Sequence, residues 1–482
     1  MTTSKEKPDL GEADSKLEPC QLENQATNSD AARLDQLGLH AELERRFSLP
    51  SIICLCLCSG QWWRAMSCLQ LVSFNPSVQF LHPSNIRLAC SIASLLYTVA
   101  TALSLAEIAS VYPTAGGQYH WVAALFPPRG RKTVSWLTGW ISIGGQNVLT
   151  ASASQVYISG YPTPSEFVTD RNQGVLHIVG FLVVFISLAV KSEKTDTESV
   201  FTRFSNSTGW SSDGVAWLVG LISTVHPFLG YDAACHLAEE LPHASRNVPV
   251  AMVGSIVLNG IIGLAYVMML AFSVGSLTTI LDTSNAFTTV LVLFIVIIAM
   301  AASVACLASA SWTLWAFARD DGTPLSSFLS KVNDKKQIPL RAIALVTVLE
   351  MLLGLIYVGN STAFNAVLSM AIIGMYISYL LPVACILFFG RSALSPTDYG
   401  PFKLNRLSGI VCNIIALVWS IVTVIFSTFP TQMPVNKTNM NYSIVIMVGW
   451  IVLGPSHYIA VGRHRFKMPL VRAHVLMGVT AN

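Results

Sequence analysis

The segment at residues 223–232 (STVHPFLGYD) combines a proline, a glycine, two aromatic side chains and an aspartate within an otherwise apolar stretch. Pro227 lacks an amide hydrogen and Gly230 weakens helical structure, so a helix that passes through this stretch should open between them. The backbone groups freed by the opening need polar partners, and carrier binding sites are often built at such broken helices. The pattern therefore predicts a cavity at this point.

Asp232 follows the opening by about one helical turn, and a carboxyl group inside a membrane-spanning segment is a candidate functional group. The rings of Phe228 and Tyr231 can offer aromatic faces to a cationic amine. A structural alternative stays open, in which the proline only kinks the helix and Asp232 caps the helix that restarts. On the functional interpretation, the residues that line a substrate cavity are Pro227, Phe228, Gly230, Tyr231 and Asp232.

The composition around this segment is that of a polytopic membrane protein. Of the 482 residues, 52% are hydrophobic and only 11% are charged, whereas soluble proteins carry about 25% charged residues. Residues 1–46 alone hold 10 acidic and 6 basic side chains. We therefore expect a disordered cytoplasmic tail over residues 1–46, a transmembrane domain over residues 47–462 and a cytoplasmic tail over residues 463–482.

Long apolar runs predict an all-α fold with ten or eleven membrane-spanning helices, since a bilayer core needs about 20 apolar residues in helical form. Two of the runs, residues 49–74 and 175–190, are weak because the first is interrupted and the second is short. The clear runs are residues 88–112, 136–160, 214–237, 249–276, 287–317, 341–358, 363–390, 407–429 and 443–461.

Basic loops alternate with N-x-S/T sequons along the chain, and this alternation predicts its sidedness. Basic residues cluster before the first apolar run, at residues 129–132, around residues 331–336 and 391–406, and after residue 462. We expect these clusters and both termini in the cytoplasm, with the protein in the plasma membrane. The glycosylation candidates, expected on the outer side, are Asn206, Asn360, Asn436 and Asn441.

One region conflicts with this alternation. The basic loop at residues 129–132 and Arg246 should both face the cytoplasm, which requires an even number of spans between them. The sequence offers three, at residues 136–160, 175–190 and 214–237. Either the short middle segment does not cross the membrane, or one helix is absent from this chain.

Several functional classes are excluded by missing motifs. The sequence contains neither a G-x-x-x-x-G-K-[ST] motif nor H-E-x-x-H nor G-x-S-x-G, which argues against ATP-driven transport, a metalloprotease and a serine hydrolase. Its cysteines form no C-x-x-C pair, so we predict neither a metal site nor a cofactor. The basic clusters lie in short loops, so nucleic acid is not an expected partner. Secondary transport, a channel or a receptor remain, and none of these is an enzyme.

Four segments resemble fungal amino-acid and choline permeases of the amino acid–polyamine–organocation superfamily. They are residues 104–121 (SLAEIASVYPTAGGQYHW), 228–249 (FLGYDAACHLAEELPHASRNVP), 314–320 (LWAFARD) and 359–376 (GNSTAFNAVLSMAIIGMY). The resemblance extends over roughly residues 46–58 and 92–468 and is closest to the choline- and γ-aminobutyrate-type permeases.

The resemblance implies two inverted repeats of five helices plus two further helices, with the first and sixth helices unwound at mid-membrane. It also implies uptake of an amino acid, choline or a related small amine by proton symport, so the expected partners are that substrate, protons and the lipid bilayer. In such a fold Gln146 of the third helix faces the same cavity as Asp232. The candidates for proton coupling are Asp232, Glu107 and Glu350.

The sequence departs from the family pattern at several places. Residues 59–91, which include Arg64, replace the family's glycine-rich first-helix site, and residues 161–176 run into a segment that resembles only the later part of the fifth helix. We therefore expect the family's fourth helix to be missing from this chain. Trp312 also stands where the family usually has arginine. Two alternatives to an active transporter follow: a degenerate or mis-assembled permease without transport activity, and a nutrient receptor.

Overall fold

The computed structural model describes residues 42–43, 45–59, 84–153, 172–191, 196–201, 208–273, 285–359, 361–391, 394, 399–430, 432–436 and 439–469. Regular structure in these residues is helical throughout, which confirms the all-α fold of a polytopic membrane protein. Within the described residues, six helices are long and apolar enough to cross a membrane: Leu88–Val111, Ala244–Ser273, Met300–Arg319, Ser369–Gly390, Arg406–Phe426 and Ser443–Arg465. The total of ten or eleven spans stays a prediction.

The first part of the chain forms eight of the described α-helices. They are α1 (Leu49–Ser59), α2 (Ser84–Val111), α3 (Gln118–Leu125), α4 (Arg131–Ala153), α5 (Asn172–Lys191), α6 (Thr197–Phe201), α7 (Asp213–Val225) and α8 (Ala233–His236). A 3₁₀ turn at His226–Phe228 lies between α7 and α8, and a second one at Ala238–Glu240 follows α8.

The second part of the chain contains α9 (Ala244–Ser273), α10 (Asn285–Arg319), α11 (Ser326–Leu329), α12 (Leu340–Gly359), α13 (Ser361–Cys385), α14 (Arg406–Phe426), α15 (Ser443–His457) and α16 (Arg463–Arg465). Helices α13 and α15 each end in a π-helical turn, at Ile386–Gly390 and Tyr458–Gly462.

Helix α9 begins five residues before Pro249, although the apolar pattern predicted a start at the proline itself. A proline inside a helix removes the hydrogen bond to the carbonyl four residues earlier, which here belongs to Ser245. That carbonyl oxygen accepts a hydrogen bond from the Ser110 hydroxyl at 2.8 Å. The hydroxyl of α2 therefore satisfies the group that the proline frees, and it joins α2 to α9, which pack against each other.

Helix α4 packs against α3, α10, α12, α13 and α15. It approaches α13 closely, since a Cβ atom on Gly145 would lie 2.9 Å from the backbone nitrogen of Met375. A Cβ on Gly374 would likewise lie 3.0 Å from the Cα of Gly145. Small residues at this crossing allow the two backbones to touch, and the contact fixes the position of Gln146, the next residue of α4.

A pair of tryptophans joins α4 to α15. The indole of Trp140 donates to the carbonyl oxygen of Trp450 at 3.0 Å, and the indole of Trp450 donates to the carbonyl oxygen of Trp140 at 3.1 Å. The two rings stack with centroids 4.6 Å apart. Gly144 and Gly454 lie beneath these rings, where a Cβ atom would come within 2.5 Å of an indole.

The basic segments gather at one end of the helical bundle. Arg46 donates to the carbonyl oxygen of Lys336 at 2.8 Å, and Lys132 donates to that of Arg463 at 2.8 Å. The backbone N–H of Lys467 donates to the carbonyl oxygen of Asp320 at 2.9 Å. Segments that the charge pattern assigned to the same side are therefore direct neighbours.

The sequon-bearing loops meet each other instead. The backbone N–H of Met433, three residues before Asn436, donates to the carbonyl oxygen of Thr208 at 2.8 Å. The indole of Trp210 donates to the carbonyl oxygen of Pro430 at 3.3 Å. Among the sequons, Asn436 is exposed and the Asn441 side chain donates to the carbonyl oxygen of Ser427 at 2.8 Å, whereas Asn206 and Asn360 lie outside the described residues.

Helix α5 is longer than the apolar pattern predicted. It spans 20 residues, about 30 Å at 1.5 Å per residue, instead of 16, because the polar residues Asn172 and Gln173 and the terminal Lys191 extend it beyond the apolar run. It packs against α1, α9 and α10. Residues 154–171, where the fourth helix of the family would begin, and residues 60–83 with Arg64 lie outside the described part of the chain.

Candidate functional site

The helix that contains Pro227 opens where the sequence predicted. Helix α7 ends at Val225, the 3₁₀ turn carries Pro227 and the buried Phe228, and α8 resumes at Ala233. Gly230 lies inside the opening with a φ of 94°, a left-handed conformation that glycine adopts without strain. The backbone can therefore reverse here within a few residues.

The opening lies against the end of α1. A Cβ atom on Gly230 would come 3.0 Å from the Cβ and 3.1 Å from the carbonyl oxygen of Ser59, the last residue of α1. The thiol of Cys56 also donates to the carbonyl oxygen of Tyr231 at 3.7 Å. The end of α1 and the helix opening therefore meet at one place in the bundle, which brings backbone groups of the two segments close together.

The carboxylate of Asp232 is completely buried and is contacted by four polar side chains. Its Oδ2 atom accepts hydrogen bonds from Gln118 Nε2 at 2.8 Å and from Gln146 Nε2 at 3.0 Å, and it lies 3.3 Å from His236 Nε2. Its Oδ1 atom accepts from the Tyr379 hydroxyl at 2.9 Å. Polar side chains on α3, α4, α8 and α13 therefore converge on one carboxylate, which compensates the cost of burying its charge.

The alternative that Asp232 caps the restarted helix is wrong. Asp232 does occupy the position before α8, but its side chain makes no hydrogen bond to the backbone N–H groups of that helix. Its backbone is helical, whereas a capping residue takes an extended conformation so that its side chain can turn back. The carboxylate contacts side chains instead, on α3, α4 and α13 and at His236 of α8.

Two polar atoms beside this carboxylate have no hydrogen-bond partner among the described residues. They are the hydroxyl of Tyr231, which is 2% exposed, and Oε1 of Gln118, which is fully buried. The ring of Tyr231 lies 5.4 Å from that of Tyr379, which in turn lies 5.8 Å from that of Tyr376. A buried polar atom without a partner costs about 1–3 kcal/mol, so the site retains hydrogen-bonding capacity for a polar ligand.

The other two predicted coupling acids contact different residues. Glu107 of α2 forms a buried ion pair with Arg391, and its Oε1 atom accepts from the backbone N–H of Leu404 at 3.1 Å. Glu350 is half-buried on α12, which packs against α4 and α10. Neither Glu107 nor Glu350 is among the side chains that contact Asp232. Their roles in proton coupling stay predictions.

A second group of buried charges follows α8. Glu239 accepts two hydrogen bonds from the guanidinium of Arg319, at 2.8 and 2.9 Å, and one from the backbone N–H of Ala115 at 3.2 Å. The neighbouring Glu240 accepts a hydrogen bond from the indole of Trp312. The indole at the position where the family usually has arginine therefore still donates to an acid.

Residues 114–120 (TAGGQYH) connect these groups to the basic end of the bundle. His120 Nε2 and the Tyr119 hydroxyl both lie 2.8 Å from Asp320 Oδ2, and His120 Nδ1 lies 2.8 Å from the Thr114 hydroxyl. Gln118 of the same segment reaches Asp232. One short segment thus contacts both buried aspartates.

Three of the four side chains around Asp232 were not predicted from the sequence. His236 lies four residues after Asp232, a spacing that places both on one helical face, so this signal was available. Gln118 follows two glycines in a segment that was recognised only as part of a family pattern. Tyr379 lies 147 residues away along the chain, and no local pattern indicates its contact.

Comparisons with known proteins bear on what this site serves. A profile of the amino acid permease family matches residues 173–451, which is more than half of the chain. The choline transporter of Saccharomyces cerevisiae is 28% identical over 425 residues, covering 77% of this chain and 74% of that protein. The amino-acid permease BAT1 homolog of Oryza sativa subsp. japonica is 29% identical over 505 residues, covering 91% of this chain and 95% of that protein.

Among solved structures, a mutant of the Eremococcus coleocola manganese transporter matches with a TM-score of 0.48 and 12% identity, over 85% of this chain and 92% of that chain. The relatives at the level of sequence are named permeases and transporters, and none of these names denotes an enzyme. With more than half of its length matched by the family profile, the chain belongs to the amino acid permease family.

Proposed function

We propose that this permease is a proton-coupled secondary active transporter that carries an amino acid or a choline-like small amine through the opening at Gly230. The observation that carries the proposal is the buried Asp232 carboxylate, which four side chains from separate helices hold beside a broken helix. Broken helices at mid-membrane are where carriers commonly bind their substrates.

The chemistry around Asp232 favours a small amine. A carboxylate together with the faces of Tyr231 and Tyr379 attracts an ammonium group by charge and by cation–π contact. Gln118 Oε1 and the Tyr231 hydroxyl have no partner in the part of the chain that the structure describes. The first can accept a hydrogen bond from a substrate N–H group, and the second can donate one to a carboxylate or hydroxyl oxygen. The names of the relatives, a choline transporter and an amino-acid permease, support the same two substrate classes.

Coupling to protons is proposed for Asp232 ahead of Glu107 and Glu350. Protonation of Asp232 removes a negative charge from a site without solvent access, so it changes the attraction for an ammonium group directly. Glu107 already forms an ion pair with Arg391, which balances its charge within the protein. Substrate and proton occupancy are therefore linked most simply at Asp232.

The proposed orientation places the basic end of the bundle in the cytoplasm of a plasma-membrane protein. Two observations support this orientation. The contacts of Arg46, Lys132 and Arg463 cluster at one end of the bundle, and the loop that contains Asn436 lies at the other end. Positive charge on the cytoplasmic side is the general rule for such proteins.

The test is uptake by the full chain reconstituted in proteoliposomes with an acidic exterior, using radiolabelled choline and γ-aminobutyrate as probes. Saturable uptake of either probe that collapses when a protonophore is added is the expected result. Uptake that survives the protonophore would contradict proton coupling. Absence of uptake for both probes and for a mixture of amino acids would favour the transport-inactive alternative raised by residues 59–91.

A further inference from the structure

Both ring nitrogens of His236 lie beside oxygen atoms that accept hydrogen bonds. Nδ1 lies 3.1 Å from the carbonyl oxygen of Ala115, and Nε2 lies 3.3 Å from Oδ2 of Asp232. The side chains of His236 and Asp232 are both completely buried. A carbonyl oxygen only accepts, which requires a proton on Nδ1.

The second nitrogen then decides the proton count. If Nδ1 carries the only ring proton and Asp232 is ionised, the lone pair of Nε2 faces a carboxylate oxygen, and the contact is repulsive. One further proton, on either Nε2 or Oδ2, turns the same contact into a hydrogen bond. We propose that Asp232 and His236 hold this extra proton jointly at neutral pH, and that it is the proton used in coupling.

This inference rests on the proposed function and deepens it, because it adds His236 to the coupling site and assigns the proton to a pair. When the extra proton is bound, the Asp232–His236 pair has no net charge. It is then either a histidine cation beside a carboxylate or a neutral ring beside a carboxylic acid.

The second buried histidine offers a contrast within the same protein. His120 Nε2 lies 2.8 Å from Asp320 Oδ2, and its Nδ1 lies 2.8 Å from the Thr114 hydroxyl. A hydroxyl donates as well as accepts, so a neutral His120 satisfies both contacts by donating from Nε2 and accepting from Thr114. The geometry around His120 requires no extra proton, although it too is a buried acid–histidine pair.

Among the titratable groups near the pair, the Tyr231 hydroxyl has no hydrogen-bond partner in the described residues, and Cys235 lies next to His236 and interacts with it. The others have partners of their own. The Cys235 thiol donates to the Asp232 carbonyl oxygen, and the Cys56 thiol donates to the Tyr231 carbonyl oxygen. Glu239 is paired with the guanidinium of Arg319. The Tyr379 hydroxyl donates to Asp232 Oδ1.

Loss of the proton has a structural consequence. A neutral His236 beside an ionised Asp232 satisfies either the Ala115 carbonyl or the carboxylate, but not both. Deprotonation therefore releases α8 either from residues 114–120 or from its own aspartate. The position of residues 114–120, which also reach Asp320, becomes linked to the proton occupancy of the site.

The experiment counts protons directly and does not depend on transport. Purified full-length protein in a weakly buffered detergent solution at pH 7.5 is unfolded with dodecyl sulfate, and proton release is measured with an indicator dye. An unfolded histidine is mostly neutral at this pH, because its ordinary pKa is about 6.5. Wild type should therefore release one proton more per molecule than His236→Gln, while the control His120→Gln should release the same number as wild type.

The pH dependence of stability gives the second measurement. Where the folded protein holds one proton more than the unfolded chain, the folding equilibrium constant falls tenfold per pH unit. Wild type and His120→Gln should therefore lose stability as the pH rises above about 6.5, and His236→Gln should lack this component. If His236→Gln does not fold, Asp232→Asn replaces it with the same expected deficit of one proton.

The outcomes separate this inference from the proposed function. Equal proton release by wild type and both pair variants would overturn the proton site, whatever the uptake assay shows. An extra proton in wild type together with absent uptake of choline, γ-aminobutyrate and amino acids would overturn the proposed function and leave the proton site established. A deficit in His120→Gln equal to that in His236→Gln would also contradict the proposal.

Discussion

Gly230 packs directly on Ser59, so that the opened helix and the end of α1 touch through a residue without a side chain. The contact involves both the Cβ and the carbonyl oxygen of Ser59, and the backbone of Gly230 is left-handed. Two separate requirements, space and backbone conformation, therefore exclude larger residues at this position.

The first prediction concerns the substitution Gly230→Ala. A non-glycine residue in the left-handed region costs about 1–2 kcal/mol, and the added methyl group must displace Ser59, which it would approach to 3.0 Å. We expect a lower apparent thermal unfolding midpoint and loss of most uptake in proteoliposomes.

Gly254→Ala is the matched control, because Gly254 lies in helix α9 and a Cβ atom there would meet no atom within 4 Å. Alanine favours helix over glycine by about 1 kcal/mol, so the control should be at least as stable as wild type. Equal losses in both variants would show that the close contact with Ser59 has no special role.

The second prediction concerns Asp232→Asn. The single oxygen of the asparagine amide can accept hydrogen bonds either from Tyr379 or from Gln118 and Gln146. Its NH₂ group then faces the remaining donor groups and cannot accept from them. It also cannot exchange a proton. We expect substrate accumulation against a gradient to fall at least about tenfold, or 1.4 kcal/mol, with a smaller effect on equilibrium binding.

Asp334→Asn provides the control for this change. It also removes one negative charge, but from an exposed position at the surface. Uptake is measured across external pH 5 to 8 for both variants. An Asp232→Asn protein whose uptake keeps the wild-type pH dependence would remove Asp232 from proton coupling.

The third prediction concerns the ion pair between Glu239 and Arg319. Glu239→Gln leaves a guanidinium buried without its countercharge, and removal of one partner from a buried pair costs about 3–5 kcal/mol. We expect a strongly destabilised protein in thermal unfolding. Asp321→Asn, which removes the partner of the exposed Lys467, should change stability little. Comparable stability of the two variants would contradict the assignment of Glu239 as a structural anion.

The fourth prediction concerns sidedness. In intact cells a membrane-impermeant maleimide should label Asn436→Cys, whereas Lys335→Cys should react only after permeabilisation, since we propose that the basic end is cytoplasmic. Background labelling is expected to be low, because the cysteines in the described residues are buried or half-buried. Labelling of Lys335→Cys in intact cells would reverse the proposed orientation.

The helix opening could be predicted from the sequence because its cause is local. Pro227 and Gly230 act on the backbone within a few residues, so an opening between them follows from residue types, whereas the end of α7 at Val225 and the restart at Ala233 are known only from the structure. The same holds for the apolar runs, although polar residues extended α5 beyond the run that predicted it.

The partners of the buried acids could not be predicted in this way. Glu107 meets Arg391 across 284 residues, and Asp232 meets Tyr379 across 147. Such contacts depend on how helices pack, which no single stretch of sequence specifies. The placement of Gln146 beside Asp232 rested on family resemblance, and its role in substrate binding stays a prediction.

The reciprocal hydrogen bonds between Trp140 and Trp450 limit how the bundle can rearrange. They fix both the height and the rotation of α15 on α4, and the backbone contact of Gly145 with α13 fixes a third helix to the same pair. Gln146 and Tyr379, which contact opposite oxygens of Asp232, therefore belong to one rigid unit and must move together. Helix α3, which carries Gln118, packs against both α4 and α13 and belongs to the same unit. His236 lies on α8, which packs against α1, α9 and α10 instead, so it can exchange partners while the other three side chains keep their spacing around Asp232.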